Sequence, residues 1–229
     1  STTGFRGYYF VAWLFKVPIA VQLFLLLAAV LALQRWRAGE PPRDEVFLLV
    51  PAAFFFLALN LSRSGVQIGI RHVLPVFPLL HVFCGSLVRD PAQLGRRMRI
   101  ALAAGCLALV ASVASYYPHT LSYMNELILD RRRASDVLAD SNLDWGQNGD
   151  YLQEYLTRHP WVQHEPHFPA AGRLILSVNT LTGVWARGGA TWQQRLRTRF
   201  DPVEHVAHSY LVYDVPPERL SELMGEDGS

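Results

Sequence analysis

The sequence predicts a membrane-embedded α-helical region of about four transmembrane helices followed by a small α/β domain, and three observations carry that reading. Four closely spaced apolar runs occupy the first 117 residues, separated by short Arg-bearing loops. The charge is split between the two halves: residues 1–117 hold eleven Arg and Lys against four Asp and Glu, a net of +7, whereas residues 118–229 carry −5. After Pro118 the long apolar runs give way to short helical and strand-like patterns, so the domains divide at 117 and 118. A basic apolar half joined to an acidic polar half is the signature of a membrane anchor plus an aqueous domain.

The runs are Tyr8 to Leu33, broken only by Lys16 and Gln22, then Val46 to Leu61, Val73 to Val88 and Ile100 to Tyr117. At about 1.5 Å per residue the shorter ones reach about 24–27 Å, near the lower limit for crossing a bilayer. Tyr8, Tyr9, Tyr116 and Tyr117 suit the aromatic belt at the interface. Pro75 and Pro78 predict a kinked or unwound start to the third span. Seven Arg residues in the loops 34–45 and 89–99 outnumber the three at positions 6, 63 and 71. The positive-inside rule therefore places those two loops in the cytoplasm and the C-terminal domain outside it. Arg131, Arg132 and Arg133 weigh against that orientation. No cleavable signal is visible, and a first residue of Ser1 rather than Met predicts a start further upstream. Cys84 and Cys106 lie in apolar runs and offer neither a metal spacing nor a disulfide framework.

In the second half, Tyr123 to Leu129 and Tyr151 to Leu156 read as short amphipathic helices, flanking the turn-rich Asp140 to Gln147. A Pro- and His-rich loop spans His159 to Pro169. Leu174 to Val178 and Tyr210 to Tyr213 read as strands, and Trp192 to Phe200 as a basic helix.

Several residues could carry chemistry. Lys16 is a lone cation followed by Pro18, either snorkelling to the interface or meeting an anionic headgroup. Arg71 and His72 precede the Pro-interrupted run, where a guanidinium fork and unwound backbone amides suit a lipid phosphate. An ordinary interfacial Arg is the alternative. Tyr123, Asn125 and Glu126 follow the fourth span, and Glu126 could act as a base or accept from a sugar hydroxyl. Asp136, Asp140 and Asp144 recur every fourth residue and would share a face of a continuous helix, with room for a divalent cation. Ser141 and Asn142 argue against that helix, leaving N-capping by Asn142 or Asp144 as the alternative. Trp145, beside polar amides such as Gln147, has the make-up of a sugar-contacting surface or of a Trp buried in a tight loop. The spacing of His159, His164 and His167 matches no zinc site, so they read as solvated, and no metal is assigned. No nucleotide loop or nucleophile elbow is present, and no nucleic-acid partner is expected.

The ordered segments Phe15-Lys16-Val17-Pro18, Gly69 to Pro78, Tyr123-Met124-Asn125-Glu126, Asp140 to Gln147, Ser177-Val178-Asn179 and Tyr210 to Tyr213 resemble the C-terminal half of bacterial GT-C membrane glycosyltransferases. These belong to glycosyltransferase family 39, related to the protein O-mannosyltransferases and the aminoarabinose transferase. The resemblance implies sugar transfer from a polyprenyl-phosphate donor to a protein, lipid or glycan acceptor outside the cytoplasm, in the bacterial plasma membrane. It implies a catalytic carboxylate upstream of this chain, so an isolated fragment is expected to be inactive. By the same resemblance Arg71, Lys16 and His72 would lie near the lipid phosphate, and Tyr123, Asn125 and Glu126 near the membrane-facing cavity. His72, Val17 and Gly149 depart from the pattern, where Tyr, Thr and Leu are usual. The rival reading is a non-catalytic membrane-anchored module that binds carbohydrate or protein.

Overall fold

Pro18 divides the first apolar run. In the computed structural model, which describes residues 7–40, 43–61, 69–90, 92, 94–184 and 191–224, that run forms helix α1 (Tyr8–Lys16) and helix α2 (Ile19–Arg37) rather than one span. Proline expels its predecessor from the helical region, and Val17 is accordingly extended at φ −91° and ψ 129°. Helix α3 (Arg43–Leu61) carries Pro51 within it. The third run opens as a 3₁₀ turn, Ile70–Val73, and becomes helix α4 (Val76–Gly85) only after Pro75, with a second 3₁₀ turn at Ser86–Val88. Helix α5 (Arg96–Ala114) ends short of Tyr117.

Among the described residues three helices are long and apolar enough to cross a membrane: Ile19–Arg37, Asp44–Leu61 and Arg96–Ala114. The apolar stretch Val76–Val88 is shorter. Helix α4 packs against α2 and α3, α1 against α3, and α5 against α2. Ala28, Phe83 and Leu87 form a small buried centre. Most of the remaining apolar surface is uncovered, with Phe47 80 % and Leu107 71 % exposed. Exposed apolar surface on such a scale points to membrane association.

The chain divides into two compact units, one comprising Ser1–Tyr117 with Met124–Leu127, the other Pro118–Tyr123 with Ile128–Ser229. Residues 123–129 form no helix, contrary to their amphipathic pattern. Asn125 N–H donates instead to the Phe15 carbonyl at 2.8 Å, and this tertiary bond overrides the local propensity.

The second unit contains helix α6 (Gly149–Arg158), strands β1 (Gln163–His164) and β2 (Gly172–Ser177), helices α7 (Val178–Thr182) and α8 (Trp192–Arg199), and strands β3 (Glu204–Val206) and β4 (Tyr210–Val215). A 3₁₀ segment, Pro217–Leu223, follows. The sheet order is β1-β2-β4-β3, with β1 parallel to β2 and the other pairs antiparallel. Leu174, Ile175 and Leu176 are fully buried, so β2 is covered on both faces. Ile175, Val206, Tyr210 and Val212 pack with Leu152 and Tyr155 of α6, while α7 packs on β2 and α8 on α7. A Thr191–Gln194 capping box starts α8. The β3–β4 connection is a tight turn closed by Ser209 N–H to the Val206 carbonyl at 3.1 Å. Its central residues Ala207 and His208 have φ of 51° and 59°, the left-handed conformation that a primed hairpin turn requires and that glycine or asparagine usually supplies.

Candidate functional site

In the helical unit, the break at Pro18 creates the first group of polar contacts. A proline in place of a normal residue removes the amide that would have bonded Leu14, and the extended Val17 leaves further carbonyls without helical partners. The Asn125 side-chain amide fills this gap, donating to the Leu14 carbonyl at 2.6 Å and the Val17 carbonyl at 2.7 Å, while its backbone N–H takes that of Phe15. Gln22 donates to the Leu14 and Val17 carbonyls as well, at 3.0 and 2.8 Å. Asn125 is 2 % exposed. Its role is to hold the broken helix, because its donors are directed at backbone carbonyls.

Glu126 lies on the other side of the break. Its carboxylate accepts from the Ile19 amide, the first of α2, at 3.4 Å, and from the Ser112 hydroxyl. Partial burial works to raise the Glu126 carboxyl, but these hydrogen bonds, with one from its own amide, hold it below the usual carboxylate range. A carboxylate stabilised in its charged form is a poor base and a good acceptor or ion partner. Lys16, half-buried, ends α1 at the same break.

Arg71 and His72 fall in the 3₁₀ turn expected from the prolines, alongside the other end of α1. The His72 ring stacks on Tyr9 with centroids 6.3 Å apart, and the Arg71 charge acts on the Tyr9 hydroxyl. The Tyr8 hydroxyl accepts from the Gly69 amide at 3.0 Å. Gly69 has φ 70° and ψ 173°, a conformation that a side chain would strain. Tyr8 and Tyr9, read from sequence only as belt residues, are buried and hold this turn. Gln22, read only as an interruption, is the second clamp on the break.

In the second unit, Asp136, Asp140 and Asp144 do not share a helix face. The 3₁₀ turn Arg131–Asp136 ends before a separate one at Asp140–Asn142, and Asp136 pairs with Arg197 at 2.9 Å. The side chain of Asp140 lies outside the described residues, as does Arg63. No group of three His, Cys, Asp or Glu among the described residues has a metal-holding arrangement. Neither Asn142 nor Asp144 caps α6. Asn142 donates back to the Ala139 carbonyl, and Asp144 accepts from Gly146 N–H at 2.8 Å in an Asx turn. Burial pushes the Asp144 carboxyl up, against bonds from Gly146 and Ser209, and the charge of Glu165 pushes the same way. Trp145 is not the buried Trp of a tight loop. It is 54 % exposed, its indole N–H fixed to the Ser141 carbonyl at 3.0 Å and its amide to Gln147 Oε1 at 2.6 Å. Tyr123 is buried at the close of the Thr120–Ser122 turn.

The residue just past the motif, Asn148, is the hub of this region and escaped the sequence reading. Its amide donates to the Ala207 carbonyl and the Ser209 hydroxyl, and its Oδ1 meets His119 Nδ1 at 3.0 Å. The Ser122 and Ser209 hydroxyls both point to the Leu143 carbonyl. His208 lies 4.3 Å from His205 and 5.8 Å from His119, ring to ring. Burial first, then the charges of His205, Arg131 and His119, bring His208 down to about 3, so it is neutral. Nothing in the local sequence signals this trio, because His119 lies far in the chain from the neighbouring His205 and His208. His164 and His167 are exposed, whereas His159 is half-buried and stacks on Tyr155 at 4.3 Å. Compared with known protein families, with curated proteins and with solved structures, the chain gives no match in any of the three.

Proposed function

We propose that this chain is the C-terminal part of a polyprenyl-phosphate-dependent membrane glycosyltransferase of the family 39 type, with the catalytic carboxylate supplied by sequence upstream. The observation that supports it is the short helix α1, which bears one of the two cationic positions singled out for the lipid phosphate and packs against the turn that bears the other. One end bears Lys16 beside the clamped break, and the other docks the turn bearing Arg71 and His72 through Tyr8 and Tyr9. Tyr9 and Lys16 are seven residues apart, two turns, and so lie on one face about 10 Å apart along the axis. A guanidinium fork and an ammonium held at the two ends of one braced helix suit a phosphate with a neighbouring sugar.

In this reading the stretch Val76–Val88 completes four spans, the second unit faces the extracytoplasmic side of the bacterial plasma membrane, and the acceptor meets that unit. The protein that contains this chain transfers sugar from a radiolabelled polyprenyl-phosphate donor, and the isolated chain does not. Arg71→Ala weakens donor binding about 10- to 100-fold, the loss expected for a charge-assisted contact. Arg35→Ala, in the last turn of α2 and in this reading on the cytoplasmic side, leaves it unchanged. Equal donor affinities for the two variants would overturn the phosphate role. The rigidly held, exposed ring of Trp145 favours a second reading, a non-catalytic carbohydrate-binding module. Sugar binding by the isolated chain, without transfer by the protein that contains it, would select that alternative.

A further inference from the structure

Helices α2 and α5 enclose a groove of about 570 Å³, within the size range of small-ligand sites. Ile19, Leu23 and Leu27 line one wall and Ala101, Gly105 and Ala108 the other, and among the described residues Glu126 is the one charged side chain in it. The lining is placed as a lipid would need it. Ile19 is the first residue of α2, so Glu126 sits where that helix begins, and the apolar wall runs on from it for about 12 Å to Leu27. Phe24 rests on Gly105 so closely that any added side chain would meet its ring at 2.4 Å. Glycine at 105 is therefore what keeps this wall low.

We propose that this groove binds one acyl chain of a phospholipid with a primary-amine headgroup, the ammonium meeting the Glu126 carboxylate. The charge decides between headgroups. The carboxylate already accepts from Ile19 N–H and Ser112, and its remaining lone pairs attract a donor cation and repel an anionic headgroup. This lipid is separate from the sugar donor, whose phosphate would need cations.

The test is native mass spectrometry of the protein in mild detergent, titrated with dioleoyl-phosphatidylethanolamine or dioleoyl-phosphatidylglycerol. The wild type takes up the ethanolamine lipid about three- to fivefold more tightly, the range of a partly exposed ion pair. Glu126→Gln keeps an acceptor for Ile19 and Ser112, so the break stays closed, but the preference between the two lipids disappears. Gly105→Leu drives a side chain and the displaced Phe24 ring into the groove, and the tight ethanolamine adduct is lost. A wild type without the preference, a Glu126→Gln protein that retains it, or a Gly105→Leu protein that binds as the wild type does would each overturn the proposal.

Discussion

Strand β2 and helix α5 are both apolar, yet they meet opposite surroundings. Leu174, Ile175 and Leu176 are fully buried by the chain's own helices and neighbouring strands, whereas α5 buries no residue and leaves Leu107 and Val110 about two-thirds exposed. Apolar sequence thus specifies that a surface must be covered without specifying by what. In the sheet unit the cover is protein and the stability is core packing. In the helical unit much of the cover is left to lipid, and the named protein contacts that fix geometry are polar ones, at a helix break.

The contrast can be broken at several points. The largest effect is expected from Leu176→Ala, which opens a cavity beside the central strand and costs about 3–5 kcal/mol, read as lost hydrogen-exchange protection across β2 and β4. Leu107→Ala in α5 costs less than about 0.5 kcal/mol by the same measurement in detergent. Comparable losses at the two sites would mean that α5 is packed against protein. Next, Asn125→Ala should cost about 2–3 kcal/mol in the helical unit, since it strips donors from buried carbonyls while leaving the apolar surface nearly unchanged. Exchange of α1 and α2 amides would rise, and that of β2 would not.

Acid gives a smaller effect than Leu176→Ala or Asn125→Ala and confines it to the sheet unit. His208 titrates near 3 in the fold and near 6.5 when unfolded, so below pH 6.5 the unfolded chain binds more protons than the folded one. Stability therefore falls as the pH drops from about 6.5 towards 3, by about 2 kcal/mol at pH 5. His205, also lowered chiefly by burial, pulls the same way. A pH series of exchange rates in which the β3–β4 turn is no more labile at pH 5 than at pH 7 would remove the trio as a source of acid sensitivity.

Elements that bury a continuous run or present a clean period were legible in sequence: β2, β4, α6 and α8 lie close to where their patterns put them. Those missed are short and polar, such as Glu204–Val206, whose pairing with β4 comes from the neighbouring strand. Residues 123–129 carry a helical pattern that loses to the needs of the Pro18 break, more than a hundred residues away. The same distance hid the roles of the site residues. Pro18 was visible as a proline, but which side chain would serve its freed carbonyls was not. Asn148 resembled any turn asparagine until the Ala207–Ser209 turn was folded against it.

The excursion of Met124–Leu127 bears on how the protein is made. These four residues complete the helical unit, although the segments on either side of them belong to the other. A ribosome that has released α5 has therefore supplied the Gln22 clamp but not yet that of Asn125, and the break at Pro18 lacks its second set of donors until residue 125 emerges. By the same logic, a fragment cut at the apparent border after Tyr117 would inherit helices α1 to α5 and lack one of the two side chains that hold the first two together.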